Sequence, residues 1–185
     1  MFKDKDKYNI AIIGATGIVG ESLLDILFTR KFPFDKVDAL ASERSAGSKV
    51  KFADDLLEVQ DIRNYDFSST DFAFFSAGSS VSREFAPQAA DAGAVVIDNT
   101  SEYRYETDIP LIVPEVNPED IKKYTNRNII ANPNCSTIQM LVALKPIHDL
   151  FQIKRITVST YQAVSGSGKK GINELLEQTY SHMNQ

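Results

Sequence analysis

Short apolar runs alternate with longer amphipathic stretches along this chain. Residues 8–13 (YNIAII) predict a buried strand. Residues 18–30 carry Val19, Leu23, Leu24, Ile26 and Leu27 at helical spacing and predict a helix. Residues 37–41 predict a second strand, 42–48 a polar loop, and 49–52 with 56–60 a small hairpin or edge pair. A third apolar run, 72–75 (FAFF), precedes a helical stretch at 81–92, and 94–97 (AVVI) predicts the next strand. Residues 102–124, with Pro110, Pro114 and Pro118, read as irregular chain containing a short helix. Residues 128–131 predict a further strand and 137–151 a helix that Pro146 would bend. Residues 153–161 (IKRITVSTY) alternate as a strand does, 165–168 are glycine-rich, and 170–182 predict a last helix.

Strands alternating with helices imply βαβ units. The expected fold is therefore α/β: a Rossmann-type parallel sheet with helices on both faces. Ligands in such sheets lie beyond the carboxyl ends of the strands. The loops after Ile13, Ala41, Phe75 and Ile97 are the places to inspect.

Composition narrows the field. The chain has 185 residues, a formal net charge of −5 and a single cysteine. That length holds one domain, or one domain and part of another. An acidic balance without a Lys/Arg run argues against nucleic acid as a partner. One cysteine cannot form an internal disulfide, which suits a reduced, cytoplasmic setting. The first seven residues are charged and do not read as a signal peptide. No apolar stretch approaches the roughly 20 residues needed to cross a bilayer, so no membrane partner is expected. No metal-ligand set is assigned.

Gly14-Ala15-Thr16-Gly17-Ile18-Val19-Gly20 follows a strand and opens a helix, the context of a dinucleotide loop. Gly14 permits the turn, Gly17 lets a pyrophosphate approach the backbone, and Gly20 lets helix and strand pack closely. The spacing is GxxGxxG rather than GxGxxG. The second strand ends in Ala41-Ser42-Glu43-Arg44-Ser45, where an NAD site usually carries an acid for the ribose hydroxyls. Arg44 offers a planar donor fork suited to a 2′-phosphate, and Ser42 and Ser45 add hydroxyls, so NADP is favoured. Glu43 turned inward would suit NAD instead.

Cys135 lies in Asn132-Pro133-Asn134-Cys135-Ser136-Thr137, at a turn that opens a helix. A helix N-terminus carries unpaired N–H groups and partial positive charge, which favour thiolate, the reactive form. A lone cysteine is more often a small buried hydrophobe. Here it follows a strand and sits among small polar residues, so covalent attack on a carbonyl, coupled to hydride transfer, is the expected chemistry. Asn134 could orient an acyl group or donate to an oxyanion, and the Cys135 N–H is a further donor.

Four segments resemble bacterial aspartate-semialdehyde dehydrogenases in order and spacing. They are the glycine loop, Ser42-Glu43-Arg44-Ser45-Ala46-Gly47, Asn132 to Gln139 (NPNCSTIQ) and Tyr161 to Gly166 (YQAVSG). The likeness covers nearly all of the chain. It implies NADPH-dependent reductive dephosphorylation of β-aspartyl phosphate through a cysteine acyl-thioester, on the route to lysine, threonine and methionine. It implies that Cys135 forms the thioester, Gln162 positions substrate, and Arg104 binds the substrate phosphate. Thr16 to Val19, Arg44, Ser45, Ser165 and Gly166 would contact NADP, and Ser76-Ala77-Gly78 matches a loop near the cofactor. From the residues alone, Arg104 serves equally as a surface partner of Glu102 or Glu106.

Members of that family are about twice this length and act as homodimers or homotetramers. The resemblance divides the chain into an NADP-binding domain, residues 1–134, and the beginning of an α+β substrate and dimerisation domain, residues 135–185. The family's general acid/base is a histidine of the later half. His148 lies about 20 Å along the helix from Cys135, and His182 falls in no matching motif, so neither is assigned a catalytic role. The chain on its own is therefore expected to show little or no dehydrogenase activity, as a fragment would. Two alternatives stand beside this reading: a non-catalytic dinucleotide-binding module, and an enzyme like N-acetyl-glutamyl-phosphate reductase.

Overall fold

The structure, a computed structural model, describes residues 5–184. Strand β1 (Tyr8–Ile13) is the middle of a seven-stranded sheet. It is followed by α1 (Ile18–Thr29), β2 (Phe34–Ala41), β3 (Lys49–Phe52), β4 (Asp55–Asp61), β5 (Phe72–Phe75), α2 (Ser79–Asp91), β6 (Val95–Asp98) and β7 (Ile129–Ala131). The spatial order is β3-β4-β2-β1-β5-β6-β7. All neighbours pair in parallel except β3 with β4, which form the expected antiparallel edge. Residues 56–60 do more than a hairpin requires: β4 also pairs in parallel with β2, Ala39 facing Val59.

Alternation along β1 divides the core in two, because successive side chains of a strand point to opposite faces. Ile10 and Ile12 cluster with Leu24 and Leu27 of α1 on one face. Ala11 and Ile13 cluster with Phe85, Ala86 and Ala89 of α2 on the other. Helices thus cover both faces, and each fully buried Leu, Ile or Phe contributes roughly 1.5–3 kcal/mol. Small residues on α2 (Ala86, Ala89, Ala90) let that helix lie close over Ala73 and Val96.

The irregular chain between β6 and β7 is not loose. Tyr103, Ile109, Ile112 and Val113 are buried, Leu111 makes an isolated parallel bridge to Ala131, and a 3-10 segment runs from Pro118 to Asn126. Helix α3 (Cys135–Phe151) follows β7 and continues through Pro146.

The chain forms two units, Met1–Gln152 and Ile153–Gln185. In the second, residues 164–167 form a 3-10 turn that leads into α4 (Gly168–Met183). The strand expected at 153–161 is not formed. The segment is extended chain with no ladder, and Ile156 and Val158 are exposed. Alternation marks a strand that would bury one face, but a strand exists only with a hydrogen-bonding neighbour, and no strand among the described residues pairs with this one.

Candidate dinucleotide cleft and thiol site

The order of the sheet reverses at β1: β2 lies on one side and β5 on the other. A cleft of about 610 Å³ opens over the carboxyl ends of these strands, the position expected at such a switch point. It is lined by Ile13, Gly14, Thr16 and Gly17, by Ala41 to Ser45, by Asp61 to Arg63, and by Ser76, Ala77, Val81, Glu84 and Phe85.

The glycine loop is held rigidly at its base. Gly14 N–H donates to the Leu40 carbonyl at 2.8 Å, and Gly17 N–H to the Gly14 carbonyl at 2.9 Å. Gly14 has φ +87°, and a Cβ there would sit 3.0 Å from the backbone of Ser76 and Ala77. Gly17 is the N-cap of α1 and lines the cleft with no side chain of its own. Ile18 and Val19 lie off the cleft wall; as first-turn residues they offer backbone N–H groups. Gly20 is buried and acts in packing, since a Cβ there would overlap the Gly14 carbonyl oxygen. Ser76 lines the cleft, but its hydroxyl donates to the Ile13 carbonyl at 2.9 Å and ties β5 to β1. Ala77 joins it in the wall, whereas Gly78, with φ +99°, is the N-cap of α2.

At the β2 end, residues 43–45 form a 3-10 turn, so Ser42, Arg44 and Ser45 present themselves to the cleft on a short rigid segment. Arg44 is exposed and makes no ion pair among the described residues. Glu43 does not stand free: its carboxylate pairs with Arg63 at 2.7 Å. Arg63 is in turn gripped by Asp61, Nη2 to Oδ2 at 2.6 Å and Nε to Oδ2 at 3.0 Å. This fork holds the Asp61 carboxyl below its ordinary range. Asp61, Ile62 and Arg63 were missed in the sequence because residues 56–60 resemble a detached edge pair. Recognising β4 as a parallel neighbour of β2 would have placed its carboxyl end at the ligand edge.

The loop after β6 is built around a buried carboxylate. Asp98 is fully buried and accepts from the hydroxyls of Ser82 (2.7 Å) and Thr100 (2.8 Å) and from the Thr100 N–H (3.2 Å). Arg104 is not a surface partner of Glu102, which pairs with Arg83 instead. Its Nε donates to the Asn132 carbonyl at 3.0 Å and its Nη2 to the Asn99 carbonyl at 3.1 Å. Neutral acceptors anchor this guanidinium to the chain beyond β6 and β7, and it makes no ion pair among the described residues. Asn132 Nδ2 also donates to Asn99 Oδ1 at 2.5 Å, clamping the two loops together.

Cys135 is exposed and is the first residue of α3. Asn134 is the N-cap: its Oδ1 accepts from the N–H groups of Ser136 (2.9 Å) and Thr137 (3.4 Å). That side-chain oxygen is thus engaged in starting the helix. Cys135 does not line the cleft. Three strand spacings separate β1 from β7, about 14 Å across the same edge of the sheet. His148 sits on the same unbroken helix, about 20 Å from the thiol along its axis.

Gln162, Ser165 and Gly166 belong to the second unit, all exposed. A Cβ on Gly166 would overlap the Gln162 amide nitrogen, so these two residues lie against each other.

Comparison with known proteins agrees with this arrangement. The family model described as semialdehyde dehydrogenase, NAD binding domain, matches residues 9–124, and that of the semialdehyde dehydrogenase dimerisation domain matches residues 144–185. Aspartate-semialdehyde dehydrogenase 2 of Vibrio cholerae is 58% identical over 178 residues, covering 96% of this chain and 53% of the relative. The crystal structure of Vibrio cholerae aspartate semialdehyde dehydrogenase II complexed with ASA superposes with a TM-score of 0.94 at 57% identity, over 97% of this chain and 54% of that one. Aspartate semialdehyde dehydrogenase with NADP from Candida albicans gives a TM-score of 0.65 at 29% identity, over 80% of this chain and 48% of that one. The chain thus spans about half the length of the curated relatives it matches. With the nucleotide-domain match alone covering more than half of its residues, the chain belongs to the semialdehyde dehydrogenase family.

Proposed function

We propose that this chain supplies the cofactor cleft and the nucleophile of an NADP-dependent aspartate-semialdehyde dehydrogenase. The observation that carries the proposal is an exposed thiol at the start of α3, on the same sheet edge as a dinucleotide cleft. The names of the relatives favour it over a binding module or an N-acetyl-glutamyl-phosphate reductase.

The residues present fit the cofactor. Gly17 leaves the backbone open for the pyrophosphate, and the 12-residue α1 directs its first N–H groups and dipole at it. Arg44, with Ser42 and Ser45, meets the 2′-phosphate. When bound, NADPH supplies the hydride. Cys135 sulfur attacks the acyl carbon of β-aspartyl phosphate, the carbon–oxygen bond to phosphate breaks, and a thioester remains on the sulfur. Arg104 holds the departing phosphate, and the Cys135 N–H, with the Asn134 Nδ2, stabilises the oxyanion. Reduction of that thioester leaves a thiohemiacetal, whose collapse frees the aldehyde and restores the thiol. Gln162 orients the substrate, and Ser165 and Gly166 add cofactor contacts.

The assembled enzyme is proposed to be a cytoplasmic homodimer or homotetramer. The match to the dimerisation domain and the exposed Leu175, Leu176, Tyr180 and Met183 of α4 support the oligomer. No helix among the described residues is long and apolar enough to cross a membrane.

The test joins this chain to the remaining half of the Vibrio cholerae relative and follows NADPH absorbance with aspartate semialdehyde, NADP and phosphate. Phosphate-dependent reduction of NADP is expected. A folded chimera that shows none, beside an active full-length relative, would refute the assignment. The cofactor half is tested on the chain itself. Arg44→Ala is expected to weaken NADPH binding roughly ten- to hundredfold, the worth of a charge-assisted hydrogen-bonded pair, while NADH binding changes little. Equal losses for both dinucleotides would remove the 2′-phosphate from the account of Arg44.

A further inference from the structure

The mouth of the cleft holds more negative than positive side chains. Glu43, Asp61 and Glu84 line it together with only two cations, Arg44 and Arg63. A dinucleotide carrying an extra phosphate should be disfavoured there unless some of those carboxylates are neutralised. Glu43 is the critical one: it precedes Arg44 on the same short turn, at the position where an acid would favour unphosphorylated ribose. The structure shows where its charge goes. Arg63 Nη2 bridges Glu43 Oε2 at 2.7 Å and Asp61 Oδ2 at 2.6 Å.

The bridge is directional. Asp61 has its side chain 11% exposed, and it receives both the Nε and the Nη2 of Arg63 as well as the Arg63 backbone N–H at 3.1 Å. Asp61 therefore fixes the arginine at the end of β4, and the remaining reach of the guanidinium falls on Glu43. Arg44, next door, has no carboxylate partner among the described residues. An exposed ion pair of this kind contributes little to stability. Its consequence is local electrostatics: one arginine engages two carboxylates and offsets one of their two negative charges, and neither carboxylate pairs with Arg44.

We propose that Arg63 is a positioning residue for cofactor selection, neutralising Glu43 so that Arg44 is left to receive a ribose 2′-phosphate. The proposal rests on the NADP reading of the cleft and deepens it. Arg63 need not touch the dinucleotide; it acts through Glu43.

Titrations of the 185-residue chain with NADPH and NADH, by fluorescence or calorimetry, test this. Arg63→Gln is expected to lower the ratio of NADPH to NADH affinity roughly three- to tenfold, because an unpaired carboxylate then faces the phosphate across a partly hydrated gap. The double variant Glu43→Gln, Arg63→Gln should return the ratio to within about twofold of the native value, and Glu43→Gln alone should leave it unchanged or raise it. Arg63→Lys, which keeps the charge, should stay near native, and it serves as the reading if Arg63→Gln melts early. A ratio unmoved by Arg63→Gln overturns the proposal. A double variant as poor as Arg63→Gln alone also overturns it, since Arg63 would then act on the phosphate directly. A native chain that binds neither dinucleotide removes the cofactor reading itself, and one that binds both equally leaves Arg63 no preference to maintain and overturns the inference alone.

Discussion

Replacing Cys135 by Ala in the full-length chimera should lower phosphate-dependent turnover by ~10⁴-fold or more while leaving NADPH affinity within about twofold. The two halves of that expectation come from one geometric fact. The thiol stands at the first residue of α3, outside the wall of the dinucleotide cleft, so its removal takes nothing from the cofactor. It takes everything from the covalent route, because no other thiol exists in the chain. Cys135→Ser should be nearly as poor, since a hydroxyl at that place lacks the nucleophilicity of a thiol. Steady-state rates with aspartate semialdehyde, beside NADPH titrations of the same samples, make the measurement. Residual turnover above about one hundredth of native would mean that a thioester is not on the path.

The second large effect is on folding. Gly20→Ala should destabilise the chain by about 3 kcal/mol, at the upper end of the cost of overpacking, and shift Tm down by roughly 6–12 °C. A Cβ at Gly20 would overlap the Gly14 carbonyl oxygen and lie 2.7 Å from Ala15 Cα and 2.9 Å from the Gly14 carbonyl carbon. These are backbone atoms at the crossing of β1 and α1, and they cannot swing aside as the end of a long side chain can. The helix would have to lift from the sheet and take Leu24 and Leu27 with it. Gly17→Ala makes the contrast. Its φ is −87°, and its Cβ would meet only the Gly14 oxygen, at 3.2 Å. That variant should melt within a few degrees of native yet bind NADPH at least tenfold more weakly, because the methyl group occupies the approach of the pyrophosphate. Thermal melts followed by circular dichroism, together with NADPH titration, separate the two. A Gly20→Ala variant as stable as native would show that the helix and strand have slack between them.

Much of the framework was legible before folding. The runs at 8–13, 72–75 and 94–97 are short and apolar, as buried strands are, and each is followed by small or polar residues that leave room for a ligand. The glycine loop could be assigned because its three positions demand different things: a positive φ, an open approach and a close packing. Positions read by neighbourhood alone were harder. Residues 56–60 looked like half of a hairpin because 49–52 is their near partner in sequence, while the parallel pairing with β2, about 20 residues away, has no local signature. With that pairing hidden, Asp61 and Arg63 were invisible as cleft residues. Glu43 and Arg44 gave opposite readings of the cofactor; in the structure Glu43 pairs with Arg63, and Arg44 makes no ion pair among the described residues. Arg104 was ambiguous in the same way; in the structure Glu102 pairs with Arg83, and Arg104 donates to the Asn132 and Asn99 carbonyls.

The sequence by itself determined the alternation of strand and helix, the glycine loop and the place of the thiol at a helix start, because each of these depends on residues within a few positions of one another; the kinship with semialdehyde dehydrogenases was legible from four such segments in order. Tertiary structure alone decided which arginine pairs with which carboxylate, that the end of β4 joins the ligand edge, and that residues 153–161 form no strand. Those outcomes depend on partners brought together from distant parts of the chain, and on hydrogen bonds that a segment cannot make with itself.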